Sequence, residues 1–252
     1  MTFPGLGTAV NVATVLAGSG VGLLLGHRLP QRTRDTVTDG LGLVTLLIGA
    51  LAAVEVQSAD LAAEVGSSAP VLIVLGAVLL GGIAGSLVDV ERRLEDLGGW
   101  LRRLLSRGGA SAGEAGRERF LEGFVTASLV FCVGPLTILG SLSDGLGRGP
   151  EQLVLKAVLD GFAAIAFAAS LGVGVMVSAL TVAVVQGLLT VVGYLLGDVL
   201  PAAHLAAITA AGGLLLIGVG LRLLRIRQVP VGNLLPALVV APLLVAVLGA
   251  LR

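Results

Sequence analysis

Cysteine occurs once in the 252 residues, at Cys132, and histidine twice, at His27 and His204. One thiol excludes an intramolecular disulfide and any thiolate cluster built from a single chain, and two imidazoles are too few for a histidine-based metal site. Aromatic residues make up 3% of the chain, with one Trp and one Tyr, so stacking surfaces for sugars or flat drugs are scarce. No GxxxxGK[ST] stretch is present, which leaves nucleotide hydrolysis by a P-loop unsupported. Work must then come from a gradient or from binding. Charged residues reach only 13% and balance to a net charge of +0, which argues against nucleic acid as a partner. Lysine occurs once, at Lys156; every other basic residue is Arg.

Apolar residues supply 56% of the chain and the mean hydropathy is +1.02, whereas a soluble domain is about half apolar and about a quarter charged. The chain therefore reads as an all-α polytopic membrane protein. A helix needs about 20 apolar residues to cross the hydrocarbon. That ruler places eight spans, at 7–26, 36–56, 70–90, 118–143, 151–171, 174–197, 203–224 and 231–251. The opening "MTFPGLGTAVNVATVLAG" lacks a basic n-region and an A-x-A site, so it is expected to be a first helix and not a cleaved signal.

Charge placement tests the count, because Arg and Lys collect in short cytoplasmic loops. The odd-numbered connections hold Arg28, Arg32 and Arg34, then Arg92, Arg93, Arg102, Arg103, Arg107, Arg117 and Arg119, then Arg222, Arg225 and Arg227. The even ones hold Glu55, Asp60 and Glu64, then Asp144 and Arg148, then Asp198. Both termini are accordingly expected outside a bacterial cytoplasmic membrane. "VERRLEDLGGWLRRLLSR", with Leu94, Leu97, Leu101, Leu104 and Leu105 between arginines, reads as an amphipathic helix on the cytoplasmic leaflet or as a linker helix packed on the domain.

An internal repeat is visible. "GLLLGHRLP" (Gly22 to Pro30) aligns with "GYLLGDVLP" (Gly193 to Pro201) at an offset of 171, and Thr38, Gly42 and Gly49 then meet Thr209, Gly213 and Gly220. The first span corresponds to the sixth, so the offset of five crossings inverts the second copy. Loss of the basic loop in that copy fits the inversion. The expected organisation is one membrane domain: repeat one over 7–90, a linker over 91–117, central helices over 118–171 and repeat two over 174–251. Inverted halves are a recurrent construction of secondary transporters.

The fourth span contains "VGPLTILGSLSDGL". Pro135 donates no N–H and disfavours helix at Gly134, and Gly140 and Gly145 loosen the turns beyond it, so a broken helix is expected. Freed backbone groups in hydrocarbon demand protein or a watery cavity. Carbonyls at the break with Thr137, Ser141, Ser143 and Asp144 are hard oxygen ligands suited to Na⁺; a proline kink satisfied by its neighbours is the plainer reading. In the fifth span Lys156 and Asp160 lie four residues apart, with Asp160 near mid-bilayer. An acid at that depth is a functional candidate, against the alternative of an internal pair that only orients the helix. Asn11 offers an ion a carbonyl oxygen or caps a neighbour. Asp39 suits helix-dipole complementation, and Glu122 and Gln186 are expected to be interior. Gly18, Gly22 and Gly26, like Gly81 and Gly85, fit close helix packing.

"GTAVN", "VGPLTILGSLSDGL" and "KAVLDG", in that order and spacing, resemble the YqgA-like family of bacterial inner-membrane proteins over nearly the whole chain. The matching residues are Gly7, Thr8 and Asn11, then Gly134, Pro135, Gly140, Asp144 and Gly145, then Lys156, Asp160 and Gly161. The resemblance implies a shared fold and an unassigned function, a sodium channel or pump being the suggested role. It carries no catalytic assignment.

The leading expectation is a secondary transporter or channel, not an enzyme, for a small cation such as Na⁺. The ion would be held by Asp160 and the broken helix, with protons competing for Asp160 and no cofactor. Asp144, Thr137, Ser141, Asn11, Lys156 and Gln186 complete the candidate set, beside lipid and a homo-oligomer as partners. The rivals are a carrier of a small organic solute and a non-transporting protein that binds lipid or a partner through the Arg-rich helix. An intramembrane aspartyl protease lacks its G-x-G-D turn.

Overall fold

The computed structural model describes residues 3–26, 28, 30–93, 96, 100, 114–132, 135–196 and 201–251. Among them there is no strand. The helices are α1 (Leu6–Gly26), α2 (Gln31–Ala53), α3 (Ala59–Val65), α4 (Pro70–Val88), α5 (Glu114–Cys132) and α6 (Pro135–Gly145). They continue with α7 (Glu151–Leu171), α8 (Gly174–Leu196), α9 (Ala202–Leu223), α10 (Val231–Leu234) and α11 (Ala237–Ala250). Most of the Arg-rich segment at 91–107 lies outside the described residues, as do Gly134 and the repeated loop at 197–200.

Seven helices, the short α10 counted with α11, are long and apolar enough to cross a membrane, and the bent pair α5–α6 makes an eighth if it is one span. Helix direction decides the matter. Gly18, Gly22 and Gly26 of α1 meet Gly161, Ile165 and Ala169 of α7, four residues on in both helices at each step. The two helices thus run parallel, which requires an odd number of crossings between them. With α2 and α4 counted, α5–α6 supplies the third, and the expected eight spans are met. The connection after α2, a loop on the sequence reading, is itself helical: a 3-10 turn at Val54–Gln57 and then α3, pinned by buried Leu61 and Val65.

Contacts group the chain into two compact units, one of residues 1–41 and 95–199, the other of 42–94 and 200–252. The second unit has a core of small residues, Ala203, Ala206, Ala207, Ala211, Ala237 and Ala241, filled by Leu61, Ile73 and Val245. Small side chains let helices approach closely where lipid offers no hydrophobic drive. Its α2 and α9 cross at glycines: a Cβ on Gly49 would lie 2.8 Å from the Gly213 carbonyl oxygen, and one on Gly220 would lie 3.0 Å from that of Gly42. Gly81 and Gly85 of α4 likewise lie on the backbone of Ala237 and Asn233. Between α10 and α11, a turn at Leu235 and Pro236 breaks a stretch that reads as one span in the sequence.

The first unit holds the Lys156–Asp160 pair and most of the buried polar residues. Its α1 packs on α7 through the glycine stripe, and antiparallel to α8 through Thr8 against Thr190 and Gly20 near Met176. Parallel to α8, α5 joins it through Ser128 and Thr181, whose hydroxyls lie 3.0 Å apart. A Cβ on Gly22 would fall 2.3 Å from the Ile165 carbonyl oxygen, whereas Gly187 of α8 has nothing within 4 Å of that position. Gly22→Ala is therefore expected to lower stability by about 2 kcal/mol or more, because the helices must separate, and Gly187→Ala to leave it unchanged. Thermal unfolding in detergent measures both; equal midpoints would contradict the packing.

Candidate functional site

The site begins at the helix break. Pro135 has no N–H for the carbonyl of Phe131 one turn back. Thr137 supplies the donor instead, its Oγ1 bonding Phe131 O at 3.1 Å. α5 and α6 meet there at 74°. Thr137 thus satisfies the break locally, as the plainer sequence reading has it, and its oxygen keeps acceptor capacity. Along α6, Thr137, Ser141 and Asp144 follow at helical spacing and are all buried. Gly140 and Gly145 seat this face on Leu153 and on the Thr190 backbone.

Asp144 takes two backbone donors on one oxygen: Gly5 N at 3.1 Å and Gly7 N at 3.0 Å. These are orphan N–H groups at the start of α1, where a carboxylate also complements the helix dipole. Gly5 reaches the acid with φ +98°, a conformation that favours glycine. Asp144 therefore fastens α6 to the end of α1, about 6 Å along the axis from Asn11 by helical rise.

One turn deeper lies the charged centre. Asp160 Oδ2 accepts from Lys156 Nζ at 2.5 Å and from Asn11 Nδ2 at 2.9 Å. Both members of the ion pair are nearly buried, 6% exposed each. Asn11 is fully buried, and its own Oδ1 has no partner among the described residues. Neither does Ser141 Oγ, nor either polar atom of Gln186, also fully buried. Gln186 and Thr190 lie one turn apart on α8, as Asn11 and Thr8 do within one turn on α1. Since Thr8 touches Thr190 and the helices are antiparallel, Gln186 falls at the level of Asn11. An unpaired buried amide or hydroxyl costs about 1–3 kcal/mol, so four such side chains in one unit, Ser19 among them, are expensive for folding.

Of the residues singled out from sequence, Asn11, Lys156 and Asp160 are in direct contact. Asp144 and Thr137 serve α1 and the break. Ser141 and Gln186 are buried and unpaired, Gly140 and Pro135 shape α6, and Gly134 lies outside the described residues. Glu122 and Asp39 are exposed, so an interior role for Glu122 is corrected: it lies on the outer face of α5. The Thr8–Thr190 contact and the buried Ser19 are not apparent from sequence. Thr190 is marked only by its four-residue spacing from Gln186, and Ser19 by nothing among so many small residues.

No group of three or more His, Cys, Asp or Glu side chains among the described residues is placed to hold a metal ion. The groups in contact are one carboxylate, one ammonium and one amide; the carboxylate and the amide oxygen are hard donors, and the ammonium is itself a cation.

The fold and this centre define a multi-pass α-helical membrane protein with an ion pair buried beside a broken helix. Residues 6–246 match the family described as "Protein of unknown function (DUF554)", and the chain belongs to it. It is 32% identical to "Uncharacterized protein YqgA" of Escherichia coli (strain K12) over 236 residues, 94% of each chain. Against "Uncharacterized membrane protein YdfK" of Bacillus subtilis (strain 168) it is 26% identical over 244 residues, 97% of each. No solved structure matches.

Removing one member of a buried ion pair strands the other. Asp160→Asn is expected to lower stability by about 3 kcal/mol, and Lys156→Met combined with Asp160→Leu to recover most of that. Thermal unfolding of the solubilised variants checks it; a double variant as unstable as the single one would show that the charges do not interact.

Proposed function

We propose that this protein is a secondary transporter of a small monovalent cation, Na⁺ the first candidate, which binds at Asp160 in the first unit. The observation that carries the reading is the carboxylate itself: Asp160 has one oxygen engaged by Lys156 and Asn11, the Asn11 side chain brings its unpaired Oδ1 to the same centre, and Ser141 Oγ and the Gln186 amide are buried without partners among the described residues of the same unit. Hard neutral oxygens beside one carboxylate suit an alkali cation. An intramembrane acid faces a partner or an aqueous path as a rule.

Three further features support it. The α5–α6 break, bent by 74° in the same unit, is of the discontinuous kind that transporter sites use. The glycine contacts of α2 with α9 are reciprocal under the offset of 171, since Gly49 on Gly213 maps onto Gly220 on Gly42. Such reciprocity is the pattern that halves related by a two-fold axis produce. Thirteen of the sixteen basic residues fall in odd-numbered connections, which favours termini outside the bacterial cytoplasmic membrane. On this reading the protein is a carrier and not an enzyme, and the ion is cargo, not a cofactor.

Tracer Na⁺ uptake into proteoliposomes under imposed Na⁺ and pH gradients tests the proposal. Uptake is expected in the wild type, at the level of empty liposomes in Asp160→Asn, and roughly tenfold lower in Gln186→Leu, the equivalent of about 1.4 kcal/mol. Wild-type uptake in a monodisperse Asp160→Asn variant would sink the idea.

A further inference from the structure

The ammonium of Lys156 already occupies the position a transported cation would take, 2.5 Å from Asp160 Oδ2. It is tethered to the same helix four residues away and is the only lysine in the chain. A buried ion pair of this kind contributes little net stability against well-packed apolar residues, so stability does not account for it. We propose that Lys156 is a built-in exchange cation that competes with the transported ion for Asp160 and carries the proton of the exchange. This inference rests on the cation reading above.

The step balances in charge and atoms. In the ion-free site the ammonium is paired with the carboxylate and the site is neutral. An entering M⁺ takes the carboxylate oxygen and the unpaired oxygens of Asn11, Ser141 and Gln186, and Lys156 withdraws. A buried ammonium without a counter-ion is costly; it gives one H⁺ to water and becomes the amine, and the site is neutral again. On the other face of the membrane the reverse occurs: the amine takes up H⁺, returns to Asp160 and expels M⁺. One cation is exchanged for one proton with no net charge moved.

The surroundings leave few other proton carriers. Over 6–26 α1 contains no titratable side chain. From α6 comes Asp144, engaged by Gly5 and Gly7. From α5 come Cys132, half-buried at the end of the helix, Arg119 farther along and bonded to the Ser170 carbonyl, and Glu122, which is exposed. On α7 itself Glu151 is exposed, and α8 adds only Tyr194, also exposed. The rival carrier is Asp160 itself, with protons and cations competing directly for its carboxylate.

Arginine separates the two, because it keeps the pair with Asp160 and cannot give up a proton. The experiment records tracer Na⁺ and lumenal pH together in proteoliposomes, with the membrane potential clamped, for wild type, Lys156→Arg and Lys156→Met. In the wild type, Na⁺ and H⁺ are expected to move in opposite directions, one for one, at a rate the clamped potential does not alter. Lys156→Arg is expected to lose the exchange at every pH. In Lys156→Met the proton must come from the carboxyl group, so the pH profile of the exchange is expected to differ from that of the wild type. Exchange at the wild-type rate in Lys156→Arg, or an unmoved pH profile in Lys156→Met, overturns the proposal. Na⁺ movement without protons in the wild type removes this inference alone, whereas no Na⁺ movement from folded wild-type protein removes the cation reading and this inference with it.

Discussion

The close approach of α1 to α7 through Gly18, Gly22 and Gly26 is the constraint on which the first unit depends. With no Cβ on those residues, the α7 carbonyl oxygens lie almost on the α1 backbone, and the register of the two helices is fixed over two turns. That register brings Asn11 to Asp160, while Asp144 of α6 takes the first N–H groups of α1. Each wider residue in the stripe would move the helices apart and open all of these contacts together. Packing and polar chemistry in this unit are therefore one problem with one solution.

The same register explains how a carboxylate and an ammonium persist so far from water. Asn11 shares the load on Asp160 Oδ2, and the proximity of Lys156 on the adjacent turn removes the net charge. Meanwhile the Phe131 carbonyl at the break between α5 and α6 is satisfied by Thr137. The polar atoms left over in this unit, on Asn11, Ser19, Ser141 and Gln186, are side-chain atoms, and side chains can turn toward an entering ion without unravelling a helix. Backbone groups are settled first and ligand atoms are held in reserve.

Much of this was legible in the sequence, and for physical reasons. Length and hydropathy give the spans because hydrocarbon admits only helices of a given length, and the glycine stripes and the Gly-Pro break mark close packing and a lost hydrogen bond wherever they occur. Asp160 and Lys156 stand out because charge in a span is rare. Partner choice is less legible. Four residues of spacing pair Lys156 with Asp160, but nothing local indicates that Asn11, 149 positions away, completes the pair, or that Asp144 turns to the start of α1. The helical character of 59–65 and the outward placement of Glu122 depend on which helix face meets neighbours, and a single polar residue does not encode that.

The central claim is that the cluster around Asp160 binds a small cation. Equilibrium binding of tracer Na⁺ to the purified, solubilised protein, followed by scintillation proximity with unlabelled cations as competitors, tests it without requiring transport. The account predicts saturable binding of one ion per chain, competed by unlabelled Na⁺ but not by choline, and absent in Asp160→Asn. No saturable binding to folded wild-type protein, or undiminished binding in Asp160→Asn, would contradict it.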